Sequence, residues 1–522
     1  MTTLAHTQFG TLEGVDRGAV SAFLGVPYAA PPIHALRWHP PQAPLAWDGV
    51  RPAKTFGNAA AQNLMPGVHG VAEPPDEDCL YLNVWTPGVD DHKRPVMVWI
   101  HGGGFEIGAG SQAFYDGAKL ASRGDVVVVT INYRMGPFGF LRLIDATGGD
   151  VPATGSEGML DMVAALEWVA GSIAGFGGDV GNVTVFGESA GAIAIAGLLA
   201  MPRARGLFAR AIVQSGPPYA RAVKEANMLG ETVVEKIGRD AGALFGASPD
   251  DLLKALPTVN DLRGVSFGDQ EFDAVYAIHR PWFTADGEVV PTSVLDAIDA
   301  GSAAGVSLLA GTTRDEMRMI PPEASDETAH RILGAIFPRV DQADWPLQME
   351  CYRKARAADP TPLIFGPSNT TTAQLVASAI HTDLNIRVPT IRLLDAHRKH
   401  GSVYHYVFTW TSPLGDGTRG ALHGGEIAFV FGTHNQSAEI SRLYGAGPAA
   451  DALSDAMQDA WVAFARTGDP SASAIGEWPP YDESRSTQLI GELCEVQADP
   501  WGKERAVWER YDDAVIMPAN LI

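Results

Sequence analysis

The sequence predicts an α/β fold in which a large, mostly parallel sheet is flanked by helices, and three observations carry that expectation. Short apolar runs recur along the chain, and each ends in turn residues: 96–100 (VMVWI) before His101-Gly102-Gly103-Gly104, 126–133 (VVVVTINY) before Arg134-Met135-Gly136, and 183–186 (VTVF) before Gly187. Further on come 211–213 before Gln214-Ser215-Gly216, 306–310 before Gly311, and 403–410 (VYHYVFTW), the last clear one. Between them lie helical patterns such as 158–173 (GMLDMVAALEWVAGSI), with apolar residues three and four apart. Strand-helix alternation of this kind gives a doubly wound sheet, whose chemistry gathers at the carboxyl ends of the strands.

The third observation is the pentapeptide Gly187-Glu188-Ser189-Ala190-Gly191, set between the apolar run 183–186 and the small-residue run 192–201 (AIAIAGLLAM). A Gly-x-Ser-x-Gly that follows a strand and opens a helix is the nucleophile elbow of the α/β-hydrolase fold. Its tight turn exposes the serine oxygen above the sheet, and small neighbours let strand and helix approach. The motif alone is weak in a chain with 57 glycines, and a second copy occurs at Gly264-Val265-Ser266-Phe267-Gly268. That copy lies between polar stretches with neither a buried strand before it nor a small-residue helix after it, so Ser266 reads as a loop serine.

A serine hydroxyl needs a base, and on this fold the partners follow in the order Ser, acid, His. Seven histidines lie beyond residue 316: His330, His381, His397, His400, His405, His423 and His434. Only His423 sits among small flexible residues, in 420–426 (GALHGGE), just past the last strand. His405 reads as a packed strand residue, and His397 and His400 as a helix end. The acid belongs on a loop after a strand, and 311–317 (GTTRDEM) offers both Asp315 and Glu316, between which spacing does not choose. The glycines after His101 can turn successive N–H groups into one pocket, and the N–H of Ala190 adds a donor, so together they form a candidate oxyanion hole.

Composition narrows the function classes. The chain has 522 residues, 46% of them apolar and 19% charged, with no internal repeat or linker, so one domain spanning 1–522 is expected. Two segments, about 221–300 and 318–399, break the alternation and read as insertions that cap the substrate pocket. A net charge of −23 argues against nucleic acid or anionic membrane as a partner. The start, MTTLAHTQFG, has no basic and apolar leader pattern, and Cys79, Cys351 and Cys494 form neither a metal spacing nor a CxxC pair. A cytoplasmic protein without metal or cofactor is expected, with its oligomeric state open.

At this point the chain resembles the type-B carboxylesterases, the family that includes the cholinesterases and bacterial para-nitrobenzyl esterases. The likeness runs through 23–32 (FLGVPYAAPP), 76–87 (DEDCLYLNVWTP), 99–108 (WIHGGGFEIG), 131–140 (INYRMGPFGF), 176–191 (FGGDVGNVTVFGESAG), 422–432 (LHGGEIAFVFG) and 464–470 (FARTGDP). The resemblance implies a triad of Ser189, Glu316 and His423, which favours Glu316 over Asp315. It also implies an oxyanion hole from Gly103, Gly104 and Ala190, and a supporting acidic group of Glu188, Ser215 and Glu426. It implies structural ion pairs Arg37–Glu77 and Arg134–Asp161. Hydrolysis of small to medium carboxylic esters through an acyl-enzyme follows, with carbamate or amide hydrolysis and a non-catalytic binding role as alternatives. The chain departs from the pattern where exported relatives bridge Cys79, since 56–62 (FGNAAAQ) holds no cysteine. The loop 63–77 lacks the choline-binding tryptophan of cholinesterases. Met162, Val180 and the pair Ser156-Glu157 also depart from it, with no functional reading attached.

Overall fold

The structure is a computed structural model that describes residues 3–63, 71, 73–256, 266–267, 270–271, 282–318, 324–357 and 372–516. Its centre is a 13-stranded sheet. From one edge the order is Thr3–Thr7, Gly10–Asp16, Ser21–Pro27, Tyr81–Thr86, Val127–Ile131, Arg94–Ile100, Gly178–Glu188, Arg210–Gln214, Ser307–Thr313, Val403–Phe408, Ser486–Ile490 and Glu495–Ala498. Val50–Pro52 pairs with Gly10–Asp16. The strands from Val127–Ile131 to Ser486–Ile490 run parallel. Both edges are antiparallel. The sheet therefore extends past the last run that the sequence marks, into 486–498, where polar residues hide a hairpin on the rim.

Arg94–Ile100 lies between Val127–Ile131 and Gly178–Glu188. The chain leaves that strand toward one side and returns on the other, and such a reversal opens a crevice at the carboxyl ends. Buried on both faces, the parallel strands read as continuous apolar runs. Along Arg94–Ile100, Val96, Val98 and Ile100 join the core beneath helices Glu157–Ser172 and Ala190–Ala200, while Met97 and Trp99 join the opposite core with helices Ile427–Phe431 and Pro448–Thr467. Pro448 at the first turn and Gly468 just past the end (φ +85°) bound the last of these helices.

Glu157 begins helix Glu157–Ser172 and braces the turn that leads into it. Its carboxylate accepts the N–H and hydroxyl of Thr154 (2.6 and 2.7 Å) and the N–H of Gly155 (3.1 Å). Ser156 Oγ donates to the Thr284 carbonyl and accepts its N–H. The Ser156-Glu157 departure thus ties the helix start to a distant segment. Met162 is wholly buried, and Val180 is half exposed near the start of strand Gly178–Glu188. The stretch 157–176 is long and apolar enough to cross a membrane, but 67% of it is buried inside the fold, as in a core helix.

The two interrupting segments differ from expectation at their ends. Helix Val294–Asp299 packs on Ala190–Ala200, and Val388–His397 packs on Ser307–Thr313, so both belong to the helical layer of the sheet. The first segment's helices Val223–Ile237 and Pro249–Ala255 share a core with Leu141 and Leu143. The second builds its own core from Asp326–Ile336, Trp345–Ala357 and Ala373–Thr382, closed by Trp508 near the C-terminus.

The elbow's glycines are fixed by the neighbouring strand. A Cβ on Gly187 would lie 2.5 Å from the Ile100 carbonyl oxygen, and one on Gly191 would collide with the same oxygen. Gly191→Ala should therefore lower stability by about 1–3 kcal/mol or prevent folding, whereas Gly246→Ala, where a Cβ meets nothing within 4 Å, should leave the melting temperature unchanged or slightly raised. Thermal unfolding of the two variants checks this.

Candidate active site

Strand Gly178–Glu188 ends one residue before Ser189, and helix Ala190–Ala200 starts one residue after it. Ser189 is held at φ 53° and ψ −122°, a conformation that costs a non-glycine residue about 1–3 kcal/mol. Its N–H donates to the Gln214 carbonyl (2.9 Å) and its own carbonyl accepts the Ile193 N–H (2.8 Å), so the turn is pinned from both sides.

Glu316 and His423 meet because the loops that carry them are zipped together. The Asp315 N–H donates to the Ala421 carbonyl (3.0 Å), and the Ala421 N–H donates to Asp315 Oδ2 (3.0 Å). The next residue on one loop then reaches the second-next on the other: Glu316 Oε2 lies 2.5 Å from His423 Nδ1. Glu316 Oε1 accepts the Ser215 hydroxyl (2.6 Å) and the Thr313 N–H (2.7 Å). Asp315 instead faces Arg314 and Arg318 at 2.8 and 2.6 Å. Burial works against its charge, but the two guanidiniums hold its pKa below the ordinary carboxylate value. The neighbouring carboxylates thus divide into one that addresses the imidazole and one that fastens the loop.

The other late histidines are engaged elsewhere. His405 bonds Thr487 (2.9 Å) inside its strand, His397 and His400 donate to the Val306 and Asp299 carbonyls (2.7 Å each), and His434 contacts Asp451 (3.0 Å). His381 lies edge-on to Phe337, and His330 is on helix Asp326–Ile336. Ser266 is not a loop residue: it opens the two-residue strand Ser266–Phe267, paired antiparallel with Gln270–Glu271. A short backbone ladder there overrides the polar flanks that suggested a loop. Gly264, Val265 and Gly268 of that second motif lie outside the described residues, as do 64–70 and 72 of the loop 63–77.

Three carboxylates surround the His423 ring. Glu188 Oε1 lies 3.1 Å from Nε2, an ion-pair contact without hydrogen-bond alignment, and Ser189 shares no hydrogen bond with His423 among the described residues. Glu426 is wholly buried and accepts from Gln214 Nε2 (3.4 Å) and the Tyr406 hydroxyl (3.3 Å). Burial raises Glu188 to about 7, with His423 opposing and Glu316 reinforcing the shift. Burial also raises Glu426 to about 8, reinforced by Glu188 and Glu316. For His423, burial disfavours the charge, yet Glu188 and Glu316 outweigh it and raise the pKa above the ordinary histidine value. Because 32% of its side chain is open to solvent, screening moderates that rise.

On the far side of the elbow, Gly102 presses against Glu188 and Ser189. A Cβ there would lie 2.7 Å from Glu188 Oε2 and 3.2 Å from Ser189 Cβ. Gly103 and Gly104 follow with φ of +112° and +64°, which frees their amides from the strand pattern. None of the N–H groups of Gly103, Gly104 and Ala190 has a hydrogen-bond acceptor among the described residues. Sequence reasoning missed Gln214, whose carbonyl holds Ser189 and whose amide links Trp461 Nε1 (3.1 Å) to Glu426. It also missed Tyr406. Neither carries a local signal, because both act through contacts far away in the chain. The expected ion pairs are present: Arg37–Glu77 at 2.6 Å, and Arg134–Asp161 at 2.7 Å with both partners buried. Cys79 is buried and unbridged.

A serine at a strained strand-to-helix elbow, with a carboxylate-bound imidazole at the same end of the parallel strands, marks a hydrolase of the α/β-hydrolase fold. The model of the carboxylesterase family matches residues 2–503. The para-nitrobenzyl esterase of Bacillus subtilis (strain 168) is 35% identical over 510 residues, covering 96% of this chain and 97% of that protein. The fumonisin B1 esterase of Sphingopyxis macrogoltabida is 35% identical over 503 residues, 93% of this chain and 86% of that one. Among solved structures, a PNB esterase superposes with a TM-score of 0.79 at 33% identity, covering 97% and 99% of the two chains. A Geobacillus stearothermophilus carboxylesterase superposes with a TM-score of 0.80 at 35% identity, covering 97% and 100%. The chain belongs to the carboxylesterase family and is a carboxylic ester hydrolase.

A raised histidine pKa means that the neutral ring, the only form able to accept a proton, appears later as pH rises. The acid limb of kcat/KM against pH should have its midpoint above 6.5, and Glu188→Gln should move it down by about one unit. Asp315→Asn should lower stability by about 1–3 kcal/mol while leaving the limb in place, which pH profiles and thermal melts of the two variants separate.

Proposed function

We propose that the enzyme hydrolyses carboxylic esters of small to medium acyl and alcohol groups through an acyl-enzyme on Ser189. The observation that carries this reading is the Glu316–His423 contact, braced by Ser215 and Thr313, at the carboxyl ends of the strands where the strained Ser189 emerges. With Nδ1 bound to Glu316, the tautomer leaves Nε2 to accept a proton. Ser189 Oγ attacks the ester carbonyl as its proton passes to Nε2. The carbonyl oxygen becomes an oxyanion, received by the free N–H groups of Gly103, Gly104 and Ala190.

His423 then returns the proton to the departing alkoxide, which leaves as the alcohol. A water molecule, deprotonated by the same nitrogen, attacks the acyl carbon, and the second tetrahedral species collapses to the acid and free Ser189. Glu188 and Glu426 sustain the imidazolium in between. Gln214 and Tyr406 hold Glu426 in place.

Substrate selection falls to the segments at about 221–300 and 318–399. Phe105, one residue past Gly104, packs edge-on against Trp282 (5.4 Å between ring centres), and beyond it lies Phe283 (5.9 Å). The free buried Cys79 accords with a reducing, cytoplasmic setting.

A fluorophosphonate probe should label Ser189 and leave Ser266 unmodified. Ser189→Ala should remove hydrolysis of p-nitrophenyl butyrate, and Glu316→Gln should lower kcat about 10⁴-fold with little change in melting temperature. Full activity in the Ser189→Ala variant, read as p-nitrophenol release, would sink the reading.

A further inference from the structure

His101 follows the last residue of strand Arg94–Ile100 and precedes the three glycines, and nothing in the chemistry above uses its side chain. It is nevertheless 1% exposed, and its Nδ1 lies 2.8 Å from the carbonyl oxygen of the next residue, Gly102. Since a carbonyl only accepts, Nδ1 carries the ring's proton. Nε2 is buried without a partner, and burial lowers the ring's pKa to about 4, so it stays neutral at working pH. The ring is clamped. It stacks on Tyr133 with ring centres 4.5 Å apart, and the Tyr133 hydroxyl donates to the His101 carbonyl (2.8 Å).

The carbonyl of Gly102 and the N–H of Gly103 belong to one planar trans peptide, so they point in opposite directions. Fixing the carbonyl toward the buried ring fixes the Gly103 N–H away from it. Between two glycines, with a positive φ on the second, no side chain of its own holds that peptide in one orientation. Gly108 makes room for the contact: a Cβ there would sit 2.5 Å from His101 Nδ1 and 2.7 Å from the Gly102 oxygen. Gln62 keeps Gly108 in place, accepting its N–H and donating to its carbonyl (2.9 Å each).

We propose that His101 is a positioning residue for the oxyanion hole: its Nδ1–H bond to the Gly102 carbonyl aims the Gly103 N–H at the developing oxyanion. The inference rests on the oxyanion-hole reading above.

The test compares wild type with His101→Phe, which keeps the stack on Tyr133 but removes the donor, and with His101→Asn, whose side-chain amide can donate from nearly the same point. His101→Phe should lose kcat tenfold or more with KM nearly unchanged, and should lose affinity for an aryl trifluoromethyl ketone in the same proportion. Binding of the matching methyl ketone should not change, and His101→Asn should recover most of the loss. If His101→Phe does not fold, His101→Ala replaces it with the same expectations. A folded donor-less variant with wild-type kcat and trifluoromethyl ketone affinity overturns the role of His101. So does a His101→Asn variant as impaired as His101→Phe. If wild type itself binds the trifluoromethyl ketone no more tightly than the methyl ketone, the oxyanion-hole reading fails instead.

Discussion

The approach of two backbones at one point governs the rest of the molecule. The carbonyl of Ile100 sits so close to the elbow that neither Gly187 nor Gly191 can bear a side chain. That approach sets how far strand Gly178–Glu188 rises before the helix begins, and so the height of Ser189 above the sheet. It also sets where His101 and the glycine loop depart, because Ile100 is the last residue of its strand. Ser189 and the glycine loop after His101 are therefore spaced by main-chain contact, which side-chain motion cannot loosen. The strain at Ser189 is sustained by the same register, through the Gln214 carbonyl on the next strand.

Electrostatics forms a second layer on that frame. An imidazole beside one carboxylate is a common arrangement. Here Glu188 and Glu426 join Glu316 in a largely buried space, and their charges cannot all be present at neutral pH without cost. Burial pushes the Glu188 and Glu426 carboxyls above the ordinary value, so both hold a proton more readily than a solvent-exposed carboxylate. The charge that remains on the cluster pulls the His423 ring toward its protonated form. Solvent reaching a third of His423 keeps that pull moderate, so the ring can still lose its proton.

Much of this was legible in the sequence because it is encoded locally. The apolar runs marked the parallel strands, since a strand buried on both faces has no polar alternation to blur it. The elbow and glycine loop were legible because backbone conformations that need glycine write themselves into composition. The choice between Asp315 and Glu316 was not, because adjacent residues on a loop are separated only by what each meets across space. Asp315 meets Ala421 and two arginines, and Glu316 meets His423. Gln214, Tyr406 and the bonds of Glu157 to Thr154 and Gly155 were hidden for the same reason. The rim hairpin at 486–498 was missed because an exposed edge strand reads as polar loop. The insertions looked longer than they are, since Val294–Asp299 and Val388–His397 bear the same helical signature as the segments before them but pack on the sheet layer.

The second segment has its own hydrophobic core, gathered around Trp345 and Trp508 and separate from the two that line the sheet. Its internal packing therefore does not lean on the residues that set the elbow. Mechanically, the molecule is a rigid anvil with a self-supporting helical attachment beside it. Side chains in that attachment can change size or polarity without disturbing the strand register that positions Ser189, Glu316 and His423. Such a division lets one part of the chain vary in sequence while the sheet that carries Ser189 keeps its form.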